Sequence, residues 1–517
     1  MTLKRIVLSL LTLLVVFQMG ASLITSLGEP QVGSQLQLYQ TDLLVRANEW
    51  DGSGLSENEV KQLRSAVFGK DALTSATEQY LEVRKEAATG LARIEQRLSV
   101  APAVDSEQNQ QLMVTAKTQE KLINQLDLRL GMLKVQQGET EKALETWQRL
   151  ASKGSENAIA ASVLQDLWKT PPVIRPNTEA LIQTNLRGWY RDKALERLYT
   201  LQDKSADLSA IQAAERSAAE QTLVQLSVVG VLPSFGGLLG AAGLVALIGQ
   251  RLLRGKDSIL ALPEGQWEVP WNWEIVWQVI VGGFLFVGQF VLPLVLQVGL
   301  ALKQSFNVVP EIAFTHSGLI LGLSSRGRAL YSLTFYILMA AATLGILYWS
   351  IKEYLPLPKG WFRIKFASRW PLWGLGSYFI ALPLMLAVSV LNQQIWQGQG
   401  GNNPILQLVL EEQDPLALGM FFFTAAIAAP IFEEILFRGF LLPSLTRYMP
   451  IWGAVGLSSL IFAVAHLSFS EVLPLTVLGA ILGFAYVRSQ NLLSAILLHS
   501  TWNSVTMIGL FLLGSGA

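Results

Sequence analysis

From Leu223 onward the chain is a succession of long apolar runs separated by short polar connections, at roughly 223–249, 275–302, 330–350, 372–392, 416–446, 451–467, 472–487 and 492–513. About 20 apolar residues wound as a helix cover the ~30 Å hydrocarbon core of a bilayer. These runs therefore predict eight membrane spans, and with them an all-α fold, a polytopic transmembrane helical bundle. Overall composition agrees, since 51% of the 517 residues are hydrophobic and 15% are charged, against ~25% charged in an ordinary soluble domain.

Ahead of the bundle the pattern differs. Lys4 and Arg5 precede a largely apolar run from Ile6 to about Leu27, the flank expected of a first span with its N-terminus inside. The run is longer than a signal-peptide core, and Gly20-Ala21-Ser22 is a poor cleavage site, so a retained anchor is favoured over a signal peptide. Residues 28–221 carry scattered charge and apolar residues at helical spacing, with no run long enough to span, which predicts an extramembrane helical domain. Within it Leu130-Gly131, Gly138, Ala143-Leu144 and Trp147 fall where a tetratricopeptide-like hairpin places its packing residues, although Lys134 departs from that pattern. One degenerate repeat and ordinary amphipathic helices both fit. The expected organisation is an anchor at 1–27, the helical domain at 28–221, accessory membrane helices at 222–415 and a core at 416–513.

Charge sets the orientation and removes several function classes. With the N-terminus cytoplasmic, Arg251, Arg254 and Lys256, the basic loop from Lys352 to Arg369, and then Arg447 and Arg488 all fall on the cytoplasmic side, as the positive-inside rule requires. The 28–221 domain is then placed on the outer side, and 310–325 is read as interfacial or re-entrant. Trp267, Trp271, Trp273 and Trp277, and Trp361, Trp370 and Trp373, read as interfacial anchors. The 39 Lys and Arg balance 39 Asp and Glu, so the basic footprint of a nucleic-acid binder is missing and no nucleic-acid partner is expected. Zero Cys excludes disulfides, thiolate metal sites, a cysteine nucleophile and a prenylated C-terminal Cys.

Inside the apolar region the ionisable residues stand out. Phe432-Glu433-Glu434-Ile435-Leu436-Phe437-Arg438 places two carboxylates and a guanidinium in one helix. Facing lipid they would cost roughly 8 to 10 kcal/mol together, so they must face protein or water. Glu434 and Arg438 are i, i+4 and share a face; Glu433, about 100° away, points elsewhere and is the candidate general base. Pro430 is expected to remove a helix hydrogen bond nearby. Of three histidines, His316 has no motif around it, whereas His466 ends Phe462-Ala-Val-Ala-His466 and His499 opens His499-Ser-Thr-Trp-Asn503. Counting ~1.5 Å per residue from the connection near Pro450 puts Glu433 and His466 at one depth.

Glu433-Glu434-x-x-x-Arg438, Phe462-x-x-x-His466 and His499-x-x-x-Asn503, in this order, resemble the motif set of the CPBP family of intramembrane proteases, which includes the CAAX endopeptidases and bacteriocin-immunity proteins. The resemblance covers about 416–510. It implies an intramembrane endopeptidase acting on a membrane protein or lipidated peptide, with Glu433 activating water and His466 helping to hold or deprotonate it. It further implies that His499 and Asn503 donate to the oxyanion, and that Glu434, Arg438 and Phe462 are structural. His466, His499 and Glu433 also make up a His₂Glu set, so zinc is an open option, with His466 and His499 as its ligands. Against it, no His-Glu-x-x-His motif exists, and Glu433 as ligand would leave no base. The alternative to an enzyme is a non-catalytic scaffold of the same fold that recruits a protein partner through 28–221.

Overall fold

The computed structural model describes the chain apart from residues 1, 28–31, 53–55, 57, 59–70, 101–106, 155–156, 264, 266, 297, 299–322, 397–399, 402–403 and 516–517. His316 and almost all of the segment 310–325 lie outside the described residues. Among those described, the regular structure is helical, with no strand. The chain divides into two compact units, Met1–Val32 with Leu232–Phe511, and Gly33–Val231 with Leu512–Ala517. The first helix, α1 (Leu3–Ser26), starts at Thr2, whose hydroxyl caps the Arg5 N–H.

The unit built on 33–231 contains α2 (Val32–Ala47), α3 (Ala72–Val100), α4 (Glu107–Gln136), α5 (Thr140–Ser152), α6 (Ala158–Trp168), α7 (Thr178–Asn185), α8 (Gly188–Leu201) and α9 (Ser205–Leu226). Its core gathers Leu38, Tyr80, Leu126, Met132, Trp147, Leu164 and Leu198. Helices α4 and α5 form a hairpin whose turn needs Gly138 at φ +84°, a left-handed conformation open to glycine at little steric cost. Across that hairpin a Cβ at Gly131 would overlap the indole of Trp147, whose Nε1 donates to Leu128 O at 3.2 Å. The small and aromatic positions read from the sequence thus meet in one contact.

This unit also buries charge. Lys193 Nζ lies 2.9 Å from Glu49, 3.1 Å from Glu196 and 3.2 Å from Glu215. Trp189 Nε1 donates to Glu49 and Gln212 Nε2 to Glu196. Burial opposes the Lys193 ammonium, yet Glu49 and Glu215 outweigh it and hold its pKa above the ordinary lysine value. One cation cannot compensate three carboxylates, and burial pushes Glu215 up to about 7.

The membrane unit adds α10 (Leu232–Arg254), α11 (Trp273–Leu296), α12 (Ser325–Ile351), α13 (Trp370–Trp396), α14 (Pro404–Glu411), α15 (Pro415–Leu445), α16 (Ile451–Val464), α17 (Phe469–Ser489) and α18 (Leu492–Ser515). Eight helical stretches among the described residues are long and apolar enough to cross a membrane, and α1, α10, α11, α12, α13, α15, α17 and α18 lie in them. The run at 451–467 does not give a full span. Helix α16 has 14 residues, about 21 Å, and falls short of a ~30 Å hydrocarbon core. Helix α1 is bound into this unit by an Arg5–Glu274 ion pair, a Trp277 Nε1 to Thr12 hydrogen bond of 2.7 Å, and a Phe469 N–H to Ser26 Oγ hydrogen bond.

Two of the expected interfacial tryptophan groups are instead partly core. Trp271 is fully buried, with Trp361 at 4.4 Å and Phe440 at 5.6 Å between ring centres, and its Nε1 reaches Ser444 Oγ at 2.9 Å. Trp267 stacks on Tyr486 and donates to Gly360 O. The connections at 258–272 and 355–369 fold back onto the bundle end, so these rings bury their apolar area against protein while each N–H finds a partner, the usual condition for burying an indole.

Glu215 generates a prediction with a fixed sign. Its raised folded-state pKa means the folded unit binds more protons than the unfolded chain above the ordinary glutamate value, so its stability should fall as pH rises from about 4.5 to about 7. Glu215→Gln should flatten that decline and slow amide hydrogen exchange in α9 at pH 8 relative to the wild type. An unchanged pH dependence of exchange would show that Glu215 is not the group responsible.

Candidate active site

The site is built on an irregular helix. In α15 the turns Thr424–Ala428 and Glu434–Leu441 are widened to π geometry, flanking the short α segment Ala429–Glu433. Such turns are common at functional sites because they re-aim side chains. Thr424 O accepts from the Ala429 N–H, five residues on. The next bond of that type would run to Ala425 O from residue 430, which is proline and has no N–H. Asn503 fills the gap from α18, its Nδ2 donating to Ala425 O at 2.7 Å. Pro430 thus shapes the helix as its sequence position suggested, and a neighbouring helix satisfies the freed carbonyl.

Beyond this, Glu434 and Arg438 are fully buried and paired at 2.9 Å. Arg438 also donates to Gly479 O at 2.9 Å in α17 and lies 4.7 Å over the ring of Phe462 in α16. His499 completes the group, with Nδ1 2.8 Å from the same Glu434 Oε1. A carboxylate paired with arginine offers only acceptors, so Nδ1 carries the proton and donates. The other ring nitrogen, Nε2, is 3.8 Å from Glu433 Oε2.

His466 is arranged by the same logic. Its Nδ1 is 2.9 Å from Phe462 O, a carbonyl that can only accept, so Nδ1 is again the protonated nitrogen and Nε2 of the neutral ring is an acceptor. The chain turns sharply just after it, with Leu467 at φ +60°. Phe462 stands edge-on to both imidazoles, at 5.0 Å from His466 and 5.9 Å from His499, and to Phe437 at 5.2 Å. This one ring fixes the spacing of both histidines and covers the guanidinium.

Glu433 differs from Glu434. It keeps 13% of its side chain exposed where Glu434 keeps none, and its Oε1 accepts from the Tyr336 hydroxyl of α12 at 2.7 Å. Glu433, His466, His499 and Asn503 all line one cavity of about 510 Å³, with Phe437 and Phe462 on its wall. The four candidate residues from three separate motifs therefore converge. Tyr336 was not singled out in the sequence, and the one cue for it was a phenolic tip within an apolar helix. Gln289, whose Nε2 donates to Ala465 O at 3.0 Å, also lines the cavity.

Among the described residues no group of three His, Asp or Glu side chains is placed to hold a metal ion. His499 Nδ1 and His466 Nδ1 are held by Glu434 Oε1 and Phe462 O, bonds that leave both Nε2 atoms free and that a metal-ligating imidazole also makes. No step below is routed through a metal.

Residues 415–505 match the family model of the type II CAAX prenyl endopeptidases, Rce1-like. The chain is 25% identical over 194 residues to the membrane-embedded CAAX protease MroQ of Staphylococcus aureus (strain USA300), a match covering 36% of this chain and 76% of that protein. It is 26% identical over 137 residues to the putative membrane peptidase YdiL of Bacillus subtilis (strain 168), covering 26% of this chain and 55% of that one. No solved structure matches the chain.

Removing one partner of a buried ion pair typically costs about 3 to 5 kcal/mol because the other charge is left uncompensated. Arg438→Met should therefore lower the melting temperature of the detergent-solubilised protein sharply, whereas Glu434→Gln combined with Arg438→Met should recover part of the loss. A single Arg438→Met variant that melts like the wild type would contradict the buried pair.

Proposed function

Through residues 415–505 the chain belongs to the CPBP family of intramembrane proteases, and from that premise we propose that it is a membrane-embedded endopeptidase that hydrolyses a peptide bond with a water activated by Glu433. The observation that carries this reading is the free Glu433 Oε2 beside His499 Nε2 and, on the same cavity, His466. A 3.8 Å gap between two polar atoms is too long for a hydrogen bond and leaves room for a water ~2.8 Å from each.

In the proposed reaction Glu433 Oε2 takes a proton from this water while the water oxygen adds to the scissile carbonyl carbon. His466 Nε2, an acceptor in the neutral ring, holds the second water proton and fixes the attacking lone pair. The carbonyl oxygen becomes an oxyanion and takes hydrogen bonds from the second N–H of Asn503 and, when its ring carries a second proton, from His499 Nε2. Glu433 then returns its proton to the leaving nitrogen, the C–N bond breaks, and the carboxylic acid formed passes its remaining water proton to the amine, giving a carboxylate and an ammonium. Glu434 keeps His499 oriented, and Tyr336 keeps Glu433 aimed by occupying its other oxygen. The substrate class suggested by the relatives is a membrane protein or lipidated peptide reached from the bilayer.

Glu433→Gln should lower processing by roughly 10²-fold or more, the range for loss of a general base, with the variant still folded. Comparative membrane proteomics of cells carrying wild type or Glu433→Gln should reveal uncleaved precursors in the variant alone. Equal precursor profiles would favour a non-catalytic scaffold. Tyr336→Phe removes one hydrogen bond to a charged group, about 1.5 to 3 kcal/mol, and should lower kcat about tenfold or more with little change in KM, measured on any precursor so identified.

A further inference from the structure

A second, larger hollow lies away from the site. It has a volume of about 950 Å³, is lined by α10, α13 and α17 with Trp452 at its edge, and shares no lining residue with the Glu433 cavity. Glycines create it. At Gly236 and Gly240 helix α10 presses on Phe379, Leu382 and Pro383 of α13, and a Cβ at Gly240 would overlap the Phe379 carbonyl. Small residues allow this close approach between membrane helices. Towards the Gln250 and Arg369 ends contact is lost, and a Cβ at Gly376 would meet nothing within 4 Å.

The lining is apolar along its length and polar at one end. From Arg369 to Leu384 it follows α13 for 15 residues, about 22 Å at 1.5 Å per residue. That exceeds half of the ~30 Å hydrocarbon core, the depth of one leaflet. At the polar end Arg369 is exposed and forms no ion pair among the described residues. Gln250 uses its carbonyl oxygen for the Ile259 N–H at 2.9 Å, which leaves its amide N–H groups for a ligand. Arg488 lies 5.8 Å over Trp373, a lining residue, and Arg251 and Arg254 end α10. The connection after α10 carries Lys256 together with Asp257, Glu264 and Glu268. Arg369 and Gln250 thus set a guanidinium and an amide at the mouth of an apolar trough.

We propose that this groove is a binding site for one anionic phospholipid, with its phosphate on Arg369 and Gln250 and an acyl chain lying along Gly243, Gly376 and Phe484. The length, the apolar wall and the unpaired guanidinium each match one part of that molecule, and a zwitterionic lipid would leave the cationic end less well compensated. The proposal does not depend on proteolysis.

The test is native mass spectrometry of the purified full chain released from vesicles of equal phosphatidylglycerol and phosphatidylcholine. The wild type should retain phosphatidylglycerol about fivefold or more over phosphatidylcholine, the selectivity expected from ~1 kcal/mol per cation at the headgroup level. Arg369→Glu should abolish that preference and Arg369→Lys should keep most of it; both lie at an exposed helix start and spare the packing. Gly376→Phe should fill the trough and lower retention of both lipids. Equal retention of the two lipids by the wild type, or phosphatidylglycerol retention unchanged in Arg369→Glu, would overturn the proposal.

Discussion

A buried arginine among apolar helices is the constraint around which the candidate site is organised. Arg438 has no access to solvent and lies in a segment long and apolar enough to cross a membrane, where an uncompensated charge is worth several kcal/mol against the fold. Its partners therefore come from several helices: Glu434 on its own helix, the Gly479 carbonyl on α17, the Phe462 face on α16, and through Glu434 the imidazole of α18. Packing of α15, α16, α17 and α18 is thus specified by one guanidinium. Paired with that guanidinium, Glu434 is a fixed acceptor that determines which nitrogen of His499 bears hydrogen.

The two adjacent glutamates acquire different roles from geometry rather than from chemistry. Rotation by one residue turns Glu434 into the protein interior and Glu433 onto the cavity, and the π-widened turns on either side of Ala429–Glu433 set that rotation. Pro430 is part of the same device. By lacking an N–H it frees Ala425 O, and Asn503 is drawn to that carbonyl, so a residue of α18 is fastened where the distortion of α15 requires it.

Much of this could be read in the sequence, for a physical reason. Continuous apolar runs leave little choice but helices, and charges within them have to be paired, so Glu433, Glu434, Arg438, His466, His499 and Asn503 announced themselves by being polar where polarity is costly. The i, i+4 pairing of Glu434 with Arg438 follows from helix periodicity alone. What local pattern could not reveal came from tertiary contact. Tyr336 looks like any aromatic in an apolar helix until α12 brings it to Glu433. Trp267 and Trp271 read as interfacial rings because their sequence neighbours are helix starts, and their burial depends on loops folding back from distant positions. The hydrogen bonds that fix each histidine through its Nδ1 likewise lie beyond what spacing can convey.

The brevity of α16 has a consequence for the surrounding lipid. Its 14 residues end beside His466, so on that flank the apolar height of the protein is some ~9 Å less than a ~30 Å hydrocarbon layer. A bilayer next to such a step thins or the protein tilts, at fractions of a kcal/mol per ångström of mismatch. A hydrolysis site within a hydrophobic slab would need a supply of its second reactant, and a shallower bilayer beside a truncated helix would shorten the path to it.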